Sequence, residues 1–130
     1  MIIGVTGATG FVGSHLTPLL VEMGYGVKAL VRADEAKTAA THQVKGDLIT
    51  GEGLEEFLSG ANVLIHLAAR ILPPEEELFA GNVIGTKKLM ETAANSGVEH
   101  VVLMSTAAVY GESTGGAFTE ESHCHPVAPY

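Results

Sequence analysis

An open, doubly wound parallel α/β sheet is the fold class this sequence predicts, and three observations predict it. Short apolar runs alternate with segments of helical period along most of the chain. The apolar runs are continuous rather than alternating with polar residues, as expected of strands covered on both faces. A glycine-rich turn stands at the first strand-to-helix junction. About five βα repeats with helical crossovers give an expected strand order of 3-2-1-4-5 with helices on both faces. The 130 residues amount to one domain, long enough to bury a core.

"IIGVT" at 2–6 is the first strand, short and rich in β-branched residues. Over residues 11–24, Val12, Leu16, Leu19, Leu20 and Met23 recur with helical spacing and predict one apolar helix face. Gly24 and Gly26 close that helix, and Pro18 inside it costs a hydrogen bond or a kink. "VKALV" at 27–31 is the second strand, and residues 33–40 predict a short, weak helix. A brief third strand spans 42–48, and Leu54, Phe57 and Leu58 mark a short helix. "NVLIHLAA" at 62–69 is the fourth strand. Residues 75–96 predict the longest helix, opened by Pro73-Pro74 and three glutamates and closed by Gly97. "HVVLMS" at 100–105 is the fifth strand, and 107–130 read as a loop-rich segment. A loop of that length is usually functional or belongs to something unfinished.

Composition excludes several classes. Hydrophobic residues make up 46% and charged residues 17%, and the mean hydropathy is +0.28. Seven Lys and Arg against 15 Asp and Glu leave a net charge of −8, which disfavours nucleic acid or an anionic membrane as partner. The acidic runs read as solvated faces or first turns of helices. No apolar run approaches the roughly 18 residues of a membrane span. Cys124 is the single cysteine, and no signal-like segment opens the chain, so a reducing, cytoplasmic setting is expected. His123, Cys124 and His125 make a poor tetrahedral set, and no metal is expected. Ser and His are present without a nucleophile-elbow context, which argues against a hydrolase.

The turn "TGATGFVG" places Gly7, Gly10 and Gly13 as G-x-x-G-x-x-G. Glycines there tolerate unusual φ and let a phosphate approach the backbone. Thr9, Phe11 and Val12 complete the turn, and the N–H groups that open the helix would receive a pyrophosphate. At the first junction of a βαβ pattern this predicts dinucleotide binding in a Rossmann-like fold. Arg32 ends the second strand, roughly twenty positions past the glycines, where a dinucleotide's adenosine ribose lies. An arginine there pairs with a 2′-phosphate and favours NADP over NAD; Asp34 follows two residues on, and a solvated strand-end arginine would leave the choice open.

The extended spacing in "GVTGATGFVGSHL" resembles the extended branch of the short-chain dehydrogenase/reductase superfamily. "ALVR", "GDL", "NVLIHLAA" and "NVIGTKKLMETAANSGVEHVVLMSTAAVYGE" are similar to that branch's later strands, long helix and V-Y-G turn, in family order over nearly the whole chain. The resemblance implies an NAD(P)-dependent epimerase, dehydratase or reductase. It implies that Asp47 accepts from the adenine amino group, with Leu48 beside the ring; a turn-capping role for Asp47 stays open. Leu67, Ala68 and Ala69 would let the cofactor lie against backbone, and Ser105 would join the cofactor contacts. Asn82 resembles the family's helix asparagine, a structural group that bonds backbone near the site.

By the same resemblance Thr106 orients a substrate oxygen and Tyr130, 24 residues on, is the general acid/base. The family's lysine would follow Tyr130 by four residues and is absent from this chain. The resemblance therefore implies a chain truncated before the Tyr-x-x-x-Lys helix, a sixth strand and the substrate-binding part. An unassisted tyrosine has a pKa near 10 and is ionised about one part in a thousand at neutral pH, so little turnover is expected of the chain alone. Substrates implied are a small carbonyl or hydroxyl compound or a nucleotide sugar. The family's homodimers often use the long helix and the Tyr-x-x-x-Lys helix, of which this chain has only the first, so the oligomeric state stays open. A non-catalytic NAD(P)-binding redox sensor is the alternative; Thr106 and Tyr130 argue against it.

Overall fold

The computed structural model describes residues 1–33, 36–72, 74–112 and 115–130. Asp34 and Pro73, both singled out in the sequence, lie outside the described residues. Among those residues the chain forms β1 (Ile2–Thr6), α1 (Phe11–Glu22), β2 (Gly26–Val31), β3 (His42–Lys45), α2 (Leu54–Leu58), β4 (Val63–His66), α3 (Glu75–Leu78), a π-helix (Phe79–Gly85), α4 (Thr86–Ala94), β5 (His100–Leu103) and a 3₁₀ turn (Ala107–Tyr110). The five strands are all parallel, in the order β3-β2-β1-β4-β5. The Rossmann-like class and order expected from the sequence are what the chain adopts.

Two apolar layers hold the sheet. On one face Ile3, Val5, Val27, Ala29 and Val31 pack against Leu20 and Val21 of α1. On the other, Leu30, Val44 and Leu64 meet Leu54, Phe57 and Leu58 of α2 and Leu89 and Ala93 of α4. Gly4 in β1 sits beneath Phe57: a Cβ there would lie 3.1 Å from the tip of the ring. The absence of a side chain lets a fully buried phenylalanine lie on the central strand.

Four sequence expectations need correction. The apolar face of α1 is not the one that spacing suggested. Gly13 and Thr17 are buried, with Leu20 and Val21 half-buried, while Val12, Leu19 and Met23 are exposed. The reason is Gly13, whose contact with the glycine turn sets the rotation of the helix. α1 nevertheless runs through Pro18, which only removes a donor to the carbonyl one turn back.

No helix forms among the described residues of 33–40. Thr38 Oγ1 accepts from Ala40 N and Gln43 Nε2, and Thr41 Oγ1 both accepts from Val27 N and donates to Val27 O. Such side-chain bonds offer the backbone a non-helical alternative, and Ala36 and Ala40 still reach the core.

The long helix expected at 75–96 is interrupted by a π-helical stretch. Its sequence, FAGNVIG, carries two glycines of low helical propensity, and Gly85 is pressed against Leu48, where a Cβ would come within 2.9 Å of that side chain. Finally, β5 is apolar but not covered: Val101, Val102 and Leu103 are 45–55% exposed. It lies at the sheet edge, beyond both helical layers.

Thr17 is fully buried and its hydroxyl has no hydrogen-bond partner. An unpaired buried hydroxyl costs about 1–3 kcal/mol. Thr17→Val, which keeps the shape, is expected to raise stability by about 1 kcal/mol, read as a higher midpoint in thermal or urea unfolding.

Candidate functional site

Because every strand is parallel, the strand ends that follow β1, β2, β3 and β4 all open on one edge of the sheet. The chain's crossover direction reverses between β1 and β4, and ligands of such sheets bind outside that switch point. At the end of β1, Gly7 has φ +72°, and a Cβ there would lie 2.7 Å from Ala68 N. Gly10 N donates to Gly7 O at 2.9 Å and closes the turn. One turn into α1, a Cβ on Gly13 would overlap the Gly7 carbonyl. Two of the three glycines are thus demanded by backbone packing on backbone within the protein. The first turn of α1 has no side-chain cap and no acidic residue. Its amide donors and the positive end of the helix are suited to a diphosphate.

A cleft of about 760 Å³ opens here. Thr6, Gly7, Thr9 and Gly10 line it from the turn, Arg32 from the end of β2, Asp47 and Leu48 after β3, and Leu67, Ala68 and Ala69 after β4. Residues far apart in sequence, all but Thr6 expected to touch a cofactor, therefore share one cavity. Phe11, Val12 and Gly13 are not in its wall: Phe11 is 85% exposed and Gly13 is buried behind the turn. Asp47 does cap a turn, accepting at Oδ1 from Ile49 N (2.7 Å) and Thr50 N (3.1 Å), so only the rest of that carboxylate is left to face a ligand.

Arg70, Ile71 and Leu72 also line the cleft, and none was singled out in the sequence. Their one signal was position, directly after the strand-4 motif. Asn82, at the centre of the π-helix, holds this segment: its Oδ1 accepts from Arg70 N (2.7 Å) and its Nδ2 donates to Arg70 O (2.8 Å). The Arg70 guanidinium pairs with Glu77 on α3.

Beneath the cleft lies a buried polar chain. Thr6 Oγ1 shares a 2.6 Å hydrogen bond with His66 Nδ1 and accepts from Ala68 N at 3.2 Å. His66 Nε2 shares a 2.9 Å bond with Thr86 Oγ1 at the start of α4. The ring is 2% exposed, and burial pulls its pKa down to about 4, so it is neutral at physiological pH.

The segment expected to carry catalysis begins beside this network, where Met104 N donates to His66 O. Thr106 Oγ1 accepts from Ala108 N and caps the 3₁₀ turn. Tyr110 stacks on Phe118 with ring centres 5.0 Å apart, and His125 N donates to Val109 O. Asn82 Nδ2 also donates to Pro129 O at 3.0 Å, which ties the residue before Tyr130 to the cleft wall. Ser105, Thr106 and Tyr130 do not themselves line the cleft. Among the described residues no group of three His, Cys, Asp or Glu is arranged to hold a metal, and no helix is long and apolar enough to cross a membrane. A second depression, about 880 Å³, lies between α2 and α4 and meets neither the glycine turn nor the strand ends.

Comparison with known proteins accords with this geometry. The family described as "NAD dependent epimerase/dehydratase family" matches residues 3–130. A 4-hydroxy-2-methyl-3-oxo-4-farnesyl-3,4-dihydroquinoline-1-oxide ketoreductase of Stigmatella aurantiaca is 33% identical, over 97% of this chain and 40% of its own. A UDP-glucose 4-epimerase of Halalkalibacterium halodurans is 32% identical, over 100% of this chain and 42% of its own. Among solved structures, a short-chain dehydrogenase/reductase superfamily protein from Agrobacterium tumefaciens with bound NAD superposes with a TM-score of 0.89 at 29% identity, covering 100% of this chain and 40% of that one. The chain spans about two fifths of the length of these relatives.

Burial of His66 also makes stability depend on pH. Its pKa is about 4 folded against 6.5 unfolded. The contribution is fully present above 6.5 and is lost as pH falls toward 4, because only the unfolded chain binds the proton in that window. The loss amounts to about 3 kcal/mol. Urea unfolding between neutral pH and about pH 4 is expected to show it, and His66→Phe is expected to flatten that part of the profile.

Proposed function

Since the chain belongs to the NAD dependent epimerase/dehydratase family, we propose that it is the cofactor-binding part of an NAD(P)-dependent oxidoreductase or epimerase/dehydratase of the extended short-chain type, preferring NADP. The observation that carries this is the shared cleft: the glycine turn that leads into the uncapped α1, Arg32 and Asp47 all line it. Gly7, Thr9, Gly10 and the first amides of α1 hold the diphosphate. Arg32 pairs with the 2′-phosphate, and Asp47 and Leu48 take the adenine. Leu67, Ala68 and Ala69 present small surfaces on which the cofactor lies. When bound, the nicotinamide supplies or accepts the hydride.

The proton side of the reaction falls to Thr106 and Tyr130. Thr106 orients the substrate oxygen, and Tyr130 gives or takes the proton at that atom. Asn82 supports Tyr130 through the preceding carbonyl. Substrate is a small carbonyl or hydroxyl compound or a nucleotide sugar, as the names of the ketoreductase and epimerase relatives suggest. Arg32 favours the reductase side. The soluble, cytoplasmic setting and a homodimer are part of this reading.

Fluorescence titration is expected to show NADPH binding more tightly than NADH. Arg32→Ala is expected to weaken NADPH by about tenfold or more and to leave NADH within about threefold. Equal affinities in the unsubstituted protein would remove the role given to Arg32. The 130-residue chain assayed by itself is expected to turn over little, because it spans only part of its relatives. In the active protein, Tyr130→Phe is expected to lower kcat by about 10²–10⁴ with cofactor affinity unchanged.

A further inference from the structure

We propose that His66 is a positioning residue for the cofactor cleft, its two ring nitrogens holding the end of β1 and the start of α4 against the backbone that floors the cleft. The proposal rests on the cofactor reading above. The ring is almost wholly buried, so it does not itself meet a cofactor or a substrate. What sets it apart from a core histidine with satisfied nitrogens is where its partners stand. Thr6 immediately precedes Gly7. Thr86 is the first residue of α4, directly after the π-helix that carries Asn82.

Thr6 Oγ1 in turn accepts from Ala68 N, in the floor of the cleft. One chain of bonds therefore runs from α4, through the imidazole, to the glycine turn and the floor. The clearance it maintains is narrow, for Gly7 has no room for a Cβ against Ala68 N. A neutral imidazole suits this place. It has one donating and one accepting nitrogen, and a hydroxyl on either side can take the complementary role. Loss of the ring would free Thr6 and Ala68 to shift at the point where the diphosphate meets backbone.

The test uses the purified protein, with NADPH and NADH affinities measured by fluorescence well below the melting temperature of each variant. His66→Phe keeps a flat ring, somewhat larger than the imidazole, and removes both bonds, and Thr6→Val removes one hydroxyl. Each is expected to weaken both cofactors by about tenfold or more. The NADPH-to-NADH ratio should hold, because Arg32 is untouched. The double variant should lose less than the two single losses combined, since both break the Thr6–His66 bond, while Thr6→Val also releases Ala68 N and His66→Phe also releases Thr86. Thr6→Ser, which keeps the hydroxyl, should return to within about threefold of the unsubstituted protein.

A histidine that only stabilises the fold would lower the melting temperature of His66→Phe and leave cofactor affinity within about twofold, and that result overturns the proposal. If His66→Phe does not fold, Thr86→Val carries the same test: weaker cofactor binding supports the proposal and unchanged binding overturns it. Failure of the unsubstituted protein to bind either cofactor would overturn the cofactor reading along with this one. Normal binding with unresponsive variants would overturn this one alone.

Discussion

Around Gly7 backbone packs directly on backbone, with no room for a side chain. Its carbonyl is seated where a side chain on Gly13 would be, and its Cα faces the Leu67–Ala68 peptide with no room for a methyl group between them. Three segments from different parts of the chain meet there: the end of β1, the first turns of α1 and the end of β4. Only a residue without a Cβ, free to take a positive φ, can occupy the middle of such a junction. The glycines of the turn are usually explained by a phosphate that must approach them. In this chain Gly7 and Gly13 are required by the protein's own packing, and room for a phosphate is a consequence of it.

Several other features follow from that junction. Gly13 must face the turn, so α1 rolls until Gly13 and Thr17 point inward, and its larger apolar side chains, Val12, Leu19 and Met23, are left outside. The same roll buries the Thr17 hydroxyl without a partner, a local cost offset by the fit of helix to turn. With α1 aimed along this line, the glycine turn that precedes its uncapped start lines the cleft where β2, β3 and β4 end. The electrostatic character of the cleft is thus set by backbone dipoles and by a few side chains at strand ends.

The opposite wall is organised by the π-helix. A π-helical turn admits an extra residue into a helix, and such turns occur often at functional sites. Here Asn82 stands at its centre and bonds both backbone groups of Arg70 as well as the carbonyl of Pro129. One side chain joins the wall of the cleft to the segment that ends in Tyr130. Immediately beyond the π-helix, Thr86 reaches His66 and through it the floor. Both polar links originate within five residues of one another on the same helical rod.

Sequence alone determined the fold class and the strand order, and it named part of the cleft lining. It missed Arg70, Ile71 and Leu72, and it named Phe11, Val12 and Gly13, which do not line it. Continuous apolar runs, the glycine turn and the motifs after each strand are local patterns, and a parallel sheet carries local patterns to predictable ends. Arg32 was legible from its place at a strand end, and Asp47 and Leu67–Ala69 were legible through the family resemblance of the motifs after β3 and β4. Other features are decided by contacts between distant segments. Periodicity marked an apolar stripe on α1 but could not show that Gly13, with no side chain to count, sets which face turns inward. Among the described residues of 33–40 no helix forms; Thr38 accepts locally from Ala40 and Gln43, and beside them Thr41 bonds Val27, a partner that only the folded sheet supplies. The π-helix, the reach of Asn82 to Pro129 and the Thr6–His66–Thr86 chain join residues up to 60 positions apart. No local pattern encodes such pairings, because each polar group finds its partner only after the sheet has brought the segments together.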